Sequence, residues 1–206
     1  MIKKIIAVSV LGVSALGMVA ANATGIYVIG QAGYANTHMK DKITFQPSVP
    51  GFQIANNGLA GRLGVGYQFN PNLAVELGYL QLAKQVGTVN ASGFAPGTET
   101  LKQNAIDIAA KGILPITDKF NAYGKLGVAY LTSTITSRFE GIKDNQNETF
   151  GIAKHKLAPE VGVGVSYNIT PNVFVDTSWT HIQPLGGKNK PGNVDFAAVG
   201  IGYSFG

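Results

Sequence analysis

Residues 160–179 read EVGVGVSYNITPNVFVDTSW, and the first eight of them alternate with a period of two. Val161, Val163, Val165 and Tyr167 share one parity, and Glu160, Gly162, Gly164 and Ser166 share the other. That period belongs to a β-strand with unlike faces. In a sheet packed against a core on one side, the other side usually carries longer polar groups that meet water. Here the second face is nearly bare. Such a strand fits an apolar surrounding on its bulky side and a crowded, narrow space on the other.

The pattern recurs at 26–34, 59–69, 73–80, 106–114, 122–130, 173–179 and 197–205, which makes eight stretches. Their connections alternate in length. The segments 70–72, 115–119 and 168–172 are short and carry Asn or Pro, residues that preset tight turns. The segments 35–57, 83–104, 132–157 and 182–194 are longer and rich in Gly, Asn, Lys and Thr. Short turns at one end and long loops at the other are the meander of a membrane-spanning barrel, in which about 9–11 tilted residues cross the bilayer. Closure is obligatory, since an open sheet edge cannot be satisfied in hydrocarbon.

The predicted fold is therefore all-β, an eight-stranded antiparallel up-and-down transmembrane β-barrel. A soluble sandwich would have to turn the large residues toward each other and carry seven charged side chains on its other face. Eight strands leave an interior just wide enough for side chains, so glycine, serine and alanine with a few longer polar groups are expected inside. Gly127 and Gly162 are expected to accept a small polar residue there and to resist bulk.

Composition agrees. Charged residues are 13% of the chain and glycine 27 of 206, which suits strands better than helices, where each glycine costs about 1 kcal/mol. With no cysteine, disulfides, thiolate catalysis and cysteine metal sites are excluded. The net charge of +5 comes from scattered lysines rather than a basic run, so no nucleic-acid partner is expected.

The first residues follow a different logic. Lys3 and Lys4 precede an apolar run over 5–20, and Ala21-Asn22-Ala23 has the A-x-A form of a cleavage site. This predicts a signal peptide over residues 1–23 and a barrel domain over 24–206, exported from the cytoplasm.

The runs VGYQFNPNLAVELGY (65–79), IDIAAKGILPITDKFNAYGKLGVAY (106–130), SYNITPNV (166–173) and IGYSFG (201–206) resemble the OmpA-type outer-membrane barrel across essentially the whole exported chain. The resemblance implies the outer membrane of a Gram-negative bacterium. Many such proteins append a periplasmic peptidoglycan-binding domain, which is not expected here because the sequence stops after strand eight, and the family's closing aromatic stands at Phe205, one residue short of the end. The resemblance also implies a salt-bridge network inside the barrel. Glu76 and Lys111 match the family's inward glutamate and lysine, and Lys125 stands where an arginine is typical. Asp176 replaces an inward arginine and Ser166 an inward glutamate.

By alternation, Arg62, Glu76, Asp107, Lys111, Lys125, Glu160 and Asp176 all share the lumen face. Counting from the short turns predicts two layers: Glu76, Asp176, Lys111 and Lys125 near those turns, and Arg62, Asp107 and Glu160 nearer the long loops. In that count Asp176 completes the pairing of the two lysines. The reading is a structural network, with a narrow ion path as the functional one. No catalytic residue, cofactor or metal site is expected. His38, His155 and His181 read as solvated residues of the long loops, and His181 has the outward parity of Trp179. The exposed aromatics Tyr34, Tyr67, Tyr79, Tyr130, Tyr167, Trp179, Tyr203 and Phe205 read as an interfacial girdle.

Two functions follow from these residues: a structural or weakly ion-conducting envelope barrel, or a surface adhesin acting through its long loops. The loops carry ten basic residues against five acids, which favours polyanionic lipid, lipopolysaccharide, or a host-surface or phage ligand.

Overall fold

The computed structural model describes residues 24–38, 57–89, 97–139, 149–185 and 192–205. Nine strand segments run along the chain: β1 (Gly25–Asn36), β2 (Asn57–Asn70), β3 (Leu73–Leu82), β4 (Gln85–Val89), β5 (Gly97–Pro115), β6 (Phe120–Phe139), β7 (Thr149–Asn168), β8 (Val173–Ile182) and β9 (Val194–Ser204). All pairings are antiparallel between neighbours, and β1 also pairs with β9. Both β3 and β4 pair with β5, β3 through Leu73–Gln81 and β4 through Gln85–Val89. They are one barrel strand broken at Ala83 and Lys84, where the Ala83 amide turns back to the Leu59 carbonyl at 2.8 Å. Eight strands thus close a cylinder, and each has a neighbour on both sides.

The short turns are fixed by the residues the sequence supplies. Asn70 Oδ1 accepts from the Asn72 amide at 2.8 Å, while Asn72 Nδ2 donates to the Ile113 carbonyl at 3.1 Å. At the β7–β8 turn, Thr170 Oγ1 accepts from the Val173 amide at 2.9 Å and Asn172 Nδ2 donates to the Ser204 carbonyl at 2.9 Å. Thr117 Oγ1 does the same for the Phe120 amide at the β5–β6 turn. Each turn closes itself locally, and two of them also bind the next strand through an asparagine side chain.

The large residues face outward. Leu63, Leu77, Ile108, Leu126, Val163 and Val199 are all at least half exposed on the bare protein, which is the band a bilayer covers. The aromatics flank this band. Tyr67 with Phe69 and Tyr203 with Phe205 form edge-to-face pairs at 5.1 and 5.0 Å near the short turns, and Trp179 stacks on His181 at 5.9 Å toward the other end.

Two expectations need correction. The segments 83–104 and 132–157 are largely strand, since β5, β6 and β7 run for 19, 20 and 20 residues. Lys102, Arg138, Lys154, Lys156 and Glu99 therefore lie on strands and not in loops. Lys102 and Lys156 are exposed there, and the threonines at every second position of LTSTITSRF (131–139) favour strand pairing beyond the bilayer as well as within it. The remaining loop charges, Lys40, Asp41, Lys42, Glu140, Lys143, Asp144, Glu148, Lys188 and Lys190, lie outside the described residues, as do residues 1–23, except that Lys84 joins β3 and β4.

The second correction concerns the interior, which is not a space of small residues. Tyr27 is paired across the ladder with Gly66, Tyr123 with Gly164 and Phe174 with Gly202. In each case a Cβ on the glycine would strike the partner's ring. The bare positions are footprints of aromatic rings that lie flat over them, the way aromatic residues cover glycine in a sheet. Gly78 serves Arg62 likewise, because a Cβ there would meet the guanidinium and Asp107. The expectation for Gly127 fails on the same test: a Cβ there would meet the Ile108 carbonyl oxygen and the Ala109 backbone. Gly162 is merely tight, with Thr180 Oγ1 and the Trp179 carbonyl at 3.2 Å.

Candidate functional site in the barrel lumen

The structure buries all seven inward charges in the lumen. Glu76, fully enclosed on β3, is their centre. Its Oε1 accepts from Arg62 at 2.7 Å and from Lys125 Nζ at 2.6 Å, and its Oε2 accepts from the Tyr27 hydroxyl at 2.8 Å. Arg62, on β2, lays its fork on Asp107 of β5: one guanidinium nitrogen donates to Oδ1, and Nε donates to Oδ2 at 3.2 Å. It also reaches Gln31 Oε1 at 3.2 Å. Planar bidentate pairing of this kind is what arginine does better than lysine.

Asp176 does not complete a pairing with lysines. Its oxygens accept from Gln31 Nε2 at 2.7 Å and from the Tyr123 hydroxyl at 2.6 Å. Tyr123 lies two residues from Lys125 on the same face, and its ring lies over Gly164. Gln31 Nε2 also donates to Ser178 at 2.9 Å, so Gln31 joins Asp176 to Arg62. The predicted lower layer does gather Glu76 with Lys125 at 2.6 Å and Lys111 at 4.0 Å, but it is not separate from the upper one. Arg62 spans them by holding Glu76 below and Asp107 above, because its long side chain points down the lumen from a position that pairs with Leu80.

Lys111 and Glu160 are bound more loosely. Lys111 Nζ is 4.0 Å from Glu76 Oε2, beyond hydrogen-bond distance, and lies over the Tyr123 ring at 4.0 Å and the Tyr27 ring at 5.4 Å. Glu160 is buried with neither carboxyl oxygen hydrogen-bonded.

Toward the long-loop end, the lumen is filled by an apolar cluster that includes Leu80, Leu82, Leu131, Ile182, Val194 and Phe196. None of these was singled out as functional from the sequence. The signal was present, since each continues the inward parity of its strand past the end of the predicted stretch or at its last residue. The histidines sit at the rim. His181 Nδ1 meets Asp195 Oδ1 at 2.8 Å, and His38 Nδ1 lies 3.5 Å from Asp195 Oδ2. His155 contacts Thr132 at 3.1 Å and stacks on Tyr130. Among the described residues, no three His, Cys, Asp or Glu side chains are grouped to hold a metal.

A closed eight-stranded cylinder with a lipid-facing apolar band, two aromatic girdles and a charged interior defines an outer-membrane β-barrel protein. Known proteins agree. The model of the family described as the OmpA-like transmembrane domain matches residues 21–206, and the chain belongs to that family. An uncharacterized protein of Coxiella burnetii is 28% identical, with 88% of this chain and 85% of the relative covered. Outer membrane protein A of Salmonella typhi is 27% identical over 71% of this chain and 40% of its own length. Among solved structures, Neisserial surface protein A superposes with a TM-score of 0.58 at 18% identity, covering 88% of this chain and 98% of that one. The outer membrane protein OprG of Pseudomonas aeruginosa gives 0.56 at 16% identity, covering 89% and 97%. The protein resides in the outer membrane of a Gram-negative bacterium.

Proposed function

We propose that this protein is a structural barrel of the envelope, closed at rest, which passes ions only weakly when its interior rearranges. The observation that carries this reading is the filled lumen. Among the described residues, the ion-pair network around Glu76 and the apolar cluster around Leu131 and Phe196 fill the lumen one above the other. A filled interior is also what makes an eight-stranded barrel rigid. Recording from the refolded protein in planar bilayers tests the proposal: brief, small openings are expected, and a steady wide conductance would overturn it.

A second reading has an observation of its own. β5, β6 and β7 are about twice the length needed to cross a bilayer, so together with β4, which pairs with β5, a four-stranded sheet projects past the membrane. With the basic excess of the long connections, this surface suits a polyanionic ligand such as lipopolysaccharide or a host-surface glycan, or a phage ligand. Deletion of residues 140–148 should then abolish cell or glycan binding by a barrel that still folds. Unchanged binding would leave the closed-barrel reading alone.

We further propose that residues 1–23 are a signal peptide cleaved after Ala23. Mass spectrometry of the membrane-inserted protein should find Thr24 at the amino terminus. An intact Met1 would defeat the proposal.

A further inference from the structure

The lumen below the network opens into a vestibule of about 570 Å³ at the short-turn end. That is a usual size for a small-molecule site. Its walls include Tyr27, Ile113, Phe174 and Asn168, its inner end is Lys111, and Asp118 is the one acid lining it. Lys111 is only 5% exposed, yet its ammonium has no acceptor at hydrogen-bond distance in Glu76 or Asp176. The reason is competition. Oε1 of Glu76 serves Arg62 and Lys125, and Oε2 serves Tyr27. Both oxygens of Asp176 serve Gln31 and Tyr123. Lys111 is left with a loose ion pair to Glu76 at 4.0 Å and two aromatic faces, although an ammonium carries three donors.

We propose that this vestibule binds a small amphipathic monocarboxylate from the periplasmic side. The carboxylate meets Lys111, and the body of the ligand lies against Phe174, Ile113 and Tyr27. An ammonium at the closed end repels cations. One ammonium balances the single charge of a monocarboxylate but leaves half the charge of a phosphate dianion uncompensated in a buried site. The same chemistry fits a free organic acid or the C-terminal carboxylate of a periplasmic polypeptide, and it operates whether or not the barrel conducts.

The test is an NMR titration of the refolded full barrel in lipid nanodiscs. Benzoate should give saturable amide shifts at Tyr27, at residues 111–113, at Asn168 and at Phe174, and neutral benzamide should give none. Lys111→Met should weaken benzoate binding about tenfold or more, the loss of one charge-assisted contact, and Lys111→Arg should retain it. Acetyl-Gly-Phe, compared with its C-terminal amide, separates the two sources: saturable binding of the acid assigns the site to chain termini, and binding of benzoate alone assigns it to free solutes. The proposal is overturned by absence of saturable shifts, by equal shifts with benzamide, or by undiminished binding in folded Lys111→Met. Should that variant not refold, the benzoate–benzamide comparison on the unaltered barrel decides.

Discussion

Two interior carboxyls show how much a partner matters. Glu76 has Arg62, Lys125 and Tyr27 on its oxygens, whereas neither oxygen of Glu160 is hydrogen-bonded. Removing one member of a buried, paired set leaves its partners uncompensated and costs about 3–5 kcal/mol. Glu76→Gln should destabilise the barrel by that order in urea titrations from lipid vesicles. Glu160→Gln keeps the shape and breaks no bond, so its unfolding midpoint should match or exceed that of the parent protein. Equal losses from both would show that the partners of Glu76 contribute nothing. Glycines divide in the same way. A Cβ at Gly164 would collide with the Tyr123 ring that donates to Asp176, while a Cβ at Gly112 meets nothing within 4 Å. Gly164→Ala should therefore cost about 1–3 kcal/mol and Gly112→Ala next to nothing, measured by the same titration. The glycines were plain in the sequence, but their purpose was not. Alternation places Tyr27, Tyr123 and Phe174 inward, yet only the register shows that each ring lies opposite a glycine.

At the level of the strand, alternation sufficed to separate the faces, because a period of two cannot slip by one residue without turning every side chain over. Strand ends were less legible. Hydrophobicity ends where the bilayer ends, whereas hydrogen bonding in β5, β6 and β7 continues into water. The depth of a residue can be tested on β7 alone. Val163 lies between the lipid-facing Val161 and Val165 and pairs with Gly124, while Leu157 pairs with Tyr130 at the girdle. Arginine on the lipid face costs about 2–4 kcal/mol at the midplane and about 0–1 near an interface. Val163→Arg should accordingly impair folding into vesicles far more than Leu157→Arg, although both side chains are about equally exposed on the bare protein. A reversed order would mean that the membrane sits one girdle higher than the aromatics imply.

For the whole barrel, the decisive feature is that the lumen is obstructed twice. The charges that form the first obstruction were legible from residue type and parity. Their connections were not, since the reach of Arg62 and the placing of hydroxyls on Glu76 and Asp176 depend on rotamers and curvature. The second obstruction, the apolar cluster of Leu80, Leu131, Ile182 and Phe196, was invisible as a unit because its members come from four strands far apart in the chain. Obstructions in series behave like resistances in series, so opening one leaves the current limited by the other. Water and ions avoid an apolar constriction through dewetting even where it is loosely packed, and they avoid the network for lack of space. Replacing Leu131 and Phe196 by alanine should thus leave single-channel conductance close to that of the parent barrel. So should replacing Arg62 and Glu76 together by alanine, which removes a cation and an anion at once and leaves the apolar constriction in place. The quadruple variant should conduct steadily. Losing Leu131 and Phe196 costs about 2–5 kcal/mol each, so heat-modified mobility on gels must first establish that each variant is folded. If either double variant conducts as well as the quadruple, the obstructions are not in series, and the current passes a single gate whose position that variant identifies.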